Sequence, residues 1–289
     1  MKNLINWVLF LALTLIWGSS FILMKEGLVK LTAYQVAALR IFSSGVVLMP
    51  IAVRQFKQIP KDKILPIVFS GAIGSFIPAF LFCIAEEHIN SSLAGIVNAL
   101  SPLFTITIGI LFYQMQANRQ KIGAILIGFL GLSLLFISKD GLKIDHEDIY
   151  ALLVVVATIG YGWSGNFIHH HLKAIGSVNI AAIAFSFLAI PAGIILASTG
   201  FFQGDWSDSA FIKSSIASMV LGIMGTTIAQ ILFYSLLKRT NVILTSMVTY
   251  TIPFVAILWG VWAGETITAL QIGCLLLILS GVYFANRKS

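Results

Sequence analysis

Charge is scarce in this sequence: only 10% of its 289 residues are Asp, Glu, Lys or Arg, against roughly a quarter in soluble domains. With 58% hydrophobic residues and a mean hydropathy of +0.96, a water-soluble globule is excluded and a membrane protein is implied. Cysteine is nearly absent as well. Cys83 and Cys274 stand in separate apolar runs with no CxxC spacing, so neither a disulfide scaffold nor a thiolate metal site is expected. The net charge of +7 is scattered among short connections, and nucleic acid is therefore not an expected partner. The sequence lacks HExxH, a P-loop and a dinucleotide glycine pattern, which leaves no basis for expecting ATP, a redox cofactor or a catalytic metal.

Long hydrophobic runs are what it has. They fall near residues 4–24, 35–53, 64–85, 91–113, 121–138, 149–168, 178–199, 214–236, 242–263 and 269–285. At about 20 residues per span, ten spans use roughly 200 residues and leave only short links, with no room for a soluble domain. The runs are continuous rather than alternating in polarity, which argues for helices and against a barrel. The first run is longer than a signal-peptide core and no small-x-small cleavage site follows it, so it reads as the first helix. Alternate connections carry 12 and 5 of the Lys and Arg residues, with Arg40 inside a span. Short cytoplasmic loops retain the excess, so both termini are expected in the cytoplasm. Of the acidic residues, Asp62 alone falls on that inner side.

The two halves match each other. Gly71, Gly74, Phe82, Asn90 and Pro102 meet the same residue types 151 positions later at Gly222, Gly225, Phe233, Asn241 and Pro253. Trp17 and Phe21 meet Trp163 and Phe167 at an offset of 146, and Gly123 and Gly131 meet Gly273 and Gly281 after a one-residue gap. Five spans per copy is an odd number, so the second copy enters the membrane from the opposite side. The expected fold is an all-α membrane protein of ten helices in two inverted five-helix repeats, residues 1–143 and 144–289, forming one unit. Inverted repeats that exchange conformations turn an outward-open cavity into an inward-open one, which is transporter architecture. Duplication that merely yields a stable bundle is the plainer alternative.

Several motifs carry a resemblance. Ile16-Trp17-Gly18-Ser19-Ser20-Phe21, Ala38-Leu39-Arg40, Leu100-Ser101-Pro102-Leu103-Phe104, Ile252-Pro253-Phe254 and Gly264-Glu265 together resemble the drug/metabolite transporter superfamily in its ten-helix EamA-type branch, over nearly the whole chain. The resemblance implies an inner-membrane permease exporting small metabolites or drugs through a cavity built by spans 1, 3, 4, 6, 8 and 9. One departure is visible: Gln114 stands where the first half would carry the counterpart of Glu265, so a scheme needing that pair of carboxylates is in doubt.

Polar side chains inside spans face the protein interior or a wet cavity, because lipid offers no hydrogen-bond partner. Trp17 and Ser20 share a helix face, as do Trp163 and Asn166. Asn98 and Thr249 each precede a proline, Pro102 and Pro253, by four residues, and a proline kink there frees backbone carbonyls. Gln230 and Tyr234 add an amide and a phenol on span 8. These eight side chains are the expected solute-binding set, with the two prolines as kinks or gates; the competing role for each is helix–helix glue or interface anchoring. Arg40 either captures a solute carboxylate or snorkels to the headgroups. Glu265 is either a gate or proton site or a solvated helix end.

Gly162-Trp163-Ser164-Gly165 matches the GxSG pattern of rhomboid-type intramembrane proteases, but no histidine occurs in any later span to serve as a base for Ser164. His169-His170-His171 are consecutive on a helix and cannot converge on one metal ion. The expected function is therefore a non-enzymatic secondary transporter of a small neutral or zwitterionic, amino-acid-like solute or a drug, working in the lipid bilayer. A passive pore, a hydrolase using Ser164 and a helper subunit are the alternatives. Nothing in the sequence specifies an oligomeric state.

Overall fold

The computed structural model describes residues 2–116, 118–137 and 146–286; the expected repeat boundary at 143/144 and the charges Lys139, Lys143, Arg287 and Lys288 lie outside them. Among the described residues every regular element is helical. The α-helices are α1 (Lys2–Leu28), α2 (Ala33–Gln55), α3 (Lys61–Gly71), α4 (Ile77–Glu86), α5 (Ser91–Asn98), α6 (Ser101–Phe112), α7 (Arg119–Ile137), α8 (His146–His171), α9 (Ser177–Ser198), α10 (Ser209–Val220), α11 (Ala229–Arg239), α12 (Val242–Ser246), α13 (Val248–Trp262) and α14 (Ala269–Asn286). Eight helical runs are long and apolar enough to cross a membrane: Leu4–Leu28, Ala33–Gln58, Lys61–Glu86, Ser91–Phe112, Ile149–His171, Ser177–Ser198, Ser209–Arg239 and Val242–Trp262. The fifth and tenth apolar windows fall on α7 and α14, and α14 contributes a shorter apolar stretch, Ala269–Gly281.

Local chemistry explains where these helices start. Thr32 and Gln35 form a capping box at α2, each side chain bonding the other's backbone N–H. Asn90 Oδ1 accepts from Leu93 N and Asn241 Oδ1 from Leu244 N, both at 2.8 Å, so this repeated asparagine is an N-cap in each half.

Four departures from regular α-helix lie inside the spans. Ala72–Phe76 joins α3 to α4, and Leu221–Ile228 joins α10 to α11, as π-helix; such wide turns cluster at functional sites. The helix of the fourth window breaks at Ala99-Leu100, just before Pro102, whereas in the ninth window the break is at Met247 and Pro253 lies within α13. Hydroxyls cover the carbonyls freed at these breaks: Ser101 Oγ donates to Asn98 O and Thr249 Oγ1 to Ser246 O, each at 2.7 Å.

The halves interlock. α1 packs on α10, α11, α13 and the second π segment, while α8 packs on α3, α4, α6 and the first π segment; α2 lies along α9 and α7 along α14. The α2–α9 contact is close enough that a Cβ on Gly45 would run into Phe185 O. Ile67, Leu100, Leu103, Val154 and Phe185 are fully buried between helices, while Leu65, Ile190 and Leu258 are 76%, 63% and 70% exposed. Large apolar side chains turned outward in this way suit hydrocarbon, not water.

Candidate solute-binding cavity

A cavity of about 940 Å³, counted out to its opening, lies at the centre. Its wall draws on α1, α2, the first π segment, α4, α5, α6, α8, α11, α12 and α13. Six aromatic rings, Trp17, Phe21, Phe82, Tyr161, Phe233 and Tyr234, line it. They form two chains of contacts: Trp17 with Phe233 at 5.4 Å between centroids and Phe233 with Tyr234 at 6.0 Å, and Phe21 with Phe82 and Phe82 stacked on Tyr161, each at 6.0 Å. The Trp17 indole N–H donates to Gly225 O at 3.0 Å, fixing the ring against the second π segment.

Six aliphatic hydroxyls on the wall share one polarity, while the phenols of Tyr161 and Tyr234 also line it. Ser20 donates to Ile16 O, Ser101 to Asn98 O, Thr105 to Ser101 O, Ser164 to Ser70 O, Ser246 to Ile243 O and Thr249 to Ser246 O, at 2.7–2.9 Å. Each proton is thereby committed to backbone, and only lone pairs are left for an occupant. Gln230 Nε2 donates to Ser75 Oγ. Among the described residues Arg40 is the only charged one lining the cavity; its Nε donates to Thr226 Oγ1 at 2.7 Å. Its guanidinium thus faces the interior rather than the headgroups.

Of the residues expected at a solute site, Trp17, Ser20, Asn98, Gln230, Tyr234, Thr249 and Arg40 lie on this wall, and Trp163 and Asn166 do not. The Asn166 amide donates to Thr105 O at 2.9 Å and Gly162 O at 2.8 Å, cementing α8 to α6 where Gly162 allows close approach. Trp163 packs instead on Phe112, ring centroids 4.8 Å apart. The face of α8 that reaches the cavity is Tyr161, Ser164 and Gly165, at the i, i+3, i+4 spacing of one helix face. Sequence reasoning missed Tyr161 and Ser246; the spacing of Tyr161 to Ser164 was the available signal. Pro102 and Pro253 are buried but off the wall. The rings of His170 and His171 lie tilted against Tyr113 and Phe167 at 4.8 and 4.7 Å between centroids, and no group of three metal-binding side chains occurs among the described residues.

Glu265 is not free in solvent. Its carboxylate accepts from Ser91 N at 2.9 Å, Ser92 N at 3.1 Å and Ser92 Oγ at 2.7 Å, capping α5 from the other half of the chain. At the same end Lys25 Nζ donates to Glu86 O and Ile89 O, and Lys30 and Lys213 pair with Asp208 and Glu26. The hydrogen bond from Lys30 holds the Asp208 carboxyl below its ordinary range.

The profile of the EamA-like transporter family matches residues 5–137 and again 148–287. The chain belongs to that family. It is thus a multi-pass membrane protein of a transporter family. Among similar proteins, the uncharacterized inner membrane transporter YedA of Escherichia coli K12 is 24% identical over 90% of this chain and 83% of its own. A probable amino-acid metabolite efflux pump of Salmonella typhimurium is 24% identical over 95% of this chain and 93% of its own. One crystal structure superposes with a TM-score of 0.68 at 17% identity, covering 97% of this chain and 96% of that one, a likeness of fold alone.

Proposed function

We propose that this protein is a secondary carrier of a small amino-acid-like solute, moving it by alternating access through the central cavity. The carrying observation is the wall itself, which combines six aromatic rings with a belt of hydrogen-bond acceptors and, among the described residues, a single cation. Concave sites with apolar, aromatic walls and a few convergent polar groups suit small organic ligands. Trp17, Ser20, Asn98, Gln230, Tyr234 and Thr249 bind the solute in this reading, and the breaks near Pro102 and Pro253 let the helices bend.

The chain is read as ten spans in two inverted repeats, residues 1–143 and 144–289, with both termini cytoplasmic. Two matches to one family profile support the repeat, as does the reciprocal packing of α1 and α8 against the π-containing helices of the opposite half. The efflux-pump relative favours export of amino-acid metabolites, and the Escherichia coli relative favours the inner membrane.

Accelerated counterflow tests the carrier. Proteoliposomes are loaded with a mixture of unlabelled L-amino acids and each labelled amino acid is offered outside. Saturable uptake raised by internal solute is expected for at least one. Non-saturating flux, single-channel currents or no flux for any would refute the reading.

A further inference from the structure

Arg40 narrows the solute further, resting on the carrier reading above. Among the described residues no carboxylate lies within ion-pair distance of it. Its Nε is occupied by Thr226, a 1% exposed residue of the second π segment, so both Nη groups are left without a protein partner on the cavity wall. A cation in a sheltered cavity is costly until an anion joins it. Among the described residues the wall carries no carboxylate, the buried Glu86 acting on Arg40 only from behind it, and the hydroxyls of Ser20, Ser101, Thr105 and Thr249 have given their protons to backbone and offer lone pairs. Acceptors of that kind suit an ammonium or N–H group and repel a carboxylate.

We infer that Arg40 binds a carboxylate of the solute end-on through its two Nη groups, with Thr226 as the positioning residue that fixes the guanidinium plane. The hydroxyl belt then receives the solute's own donors and the aromatic rings its apolar body. The site therefore selects amphipathic carboxylates, α-amino acids included, and rejects uncharged and purely cationic compounds. Because Thr226 lies in the π segment, a bound carboxylate also connects α2 of one half to the π-containing helix of the other.

Four probes with one phenyl body test this by titration of the full chain in nanodiscs, read by tryptophan fluorescence: 3-phenylpropionate, L-phenylalanine, 3-phenylpropanamide and phenethylamine. Both carboxylates are expected to bind about 10- to 100-fold more tightly than the amide and the amine, the range of a charge-assisted hydrogen bond. Arg40→Gln should erase this preference, and Arg40→Lys should restore only part of it, since an ammonium lacks the planar fork. Thr226→Val should weaken the carboxylates about tenfold and leave amide and amine affinities unchanged, which a merely structural loss would not do. Equal affinity across the probes, a preference that survives Arg40→Gln, or no binding of either carboxylate overturns the inference. Should Arg40→Gln not fold, Arg40→Lys and Thr226→Val decide it. Failed counterflow with the charge preference intact refutes the carrier reading alone; intact counterflow without the preference refutes this one alone.

Discussion

Glu265 Oε2 accepts the Ser92 hydroxyl at 2.7 Å, so a residue just past α13 closes the start of α5 across the two halves of the chain. A carboxylate at a helix N-terminus satisfies orphan N–H groups and meets the positive end of the helix dipole. In the first half Met115 lies over Gly109 as Glu265 lies over Gly260, and Gln114 turns through φ 54° just before it. Replacing Glu265 with Ala should cost about 1 kcal/mol of stability, the usual worth of a cap. Thermal unfolding in detergent checks this, and Glu265→Gln, which still accepts hydrogen bonds, should lose less.

Glu86 is 1% exposed and its Oε1 has no hydrogen-bond partner, while Oε2 reaches Ser91 Oγ only at 3.4 Å. The nearby Lys25 gives its protons to backbone carbonyls instead. A buried carboxylate with so little compensation is a poor contributor to stability. Glu86→Gln is therefore expected to keep or raise the unfolding temperature; a fall of several degrees would show that the charge is better matched than this geometry allows.

Gly45 sets how closely α2 approaches α9, since an added Cβ would meet Phe185 O and Ala189 Cβ. Backbone cannot move aside as a side chain can. Gly45→Ala should destabilise the fold by about 1–3 kcal/mol through overpacking, whereas Gly123→Ala, where a Cβ meets nothing within 4 Å, should be neutral.

Asp208 pairs with Lys30 at 2.9 Å and also caps α10 by accepting from Ala210 N at 2.9 Å. Asp208→Asn should keep the cap and lose only an exposed ion pair, with little effect, while Asp208→Ala loses both and should melt earlier. The folded-state pKa of Asp208 is lowered by Lys30, so its contribution is present above the ordinary carboxylate range and is lost as pH falls through the lowered value. Melting curves of the wild type and Asp208→Asn should thus converge below about pH 4.

The runs of hydrophobic residues were legible because they depend on neighbours in sequence, whereas Asn90 and Asn241 were matched as a repeat but not read as caps. Trp17 and Ser20 were legible for the same reason, sharing a face of one helix. Matching Trp17 to Trp163 paired residue types but not helix faces. α8 is turned so that Tyr161 and Ser164 reach the cavity, because Asn166 is drawn to the Thr105 carbonyl on α6. Nor does any local pattern foretell that Arg40 meets Thr226, 186 positions away, since that contact exists only once the halves interlock. Ser164, read as a possible nucleophile in sequence, has its proton on Ser70 O at 2.9 Å.

Thiol labelling tests most directly whether the cavity opens to one face at a time. In a Cys83→Ala, Cys274→Ala background, Met24→Cys and Ser246→Cys report the parts of the wall that the proposed topology assigns to the outer and inner sides, each probed with a membrane-impermeant maleimide from either face. Adding Glu265→Ala should raise outside labelling of Met24→Cys and lower inside labelling of Ser246→Cys. Labelling that rises at both positions together would describe a pore and contradict the carrier.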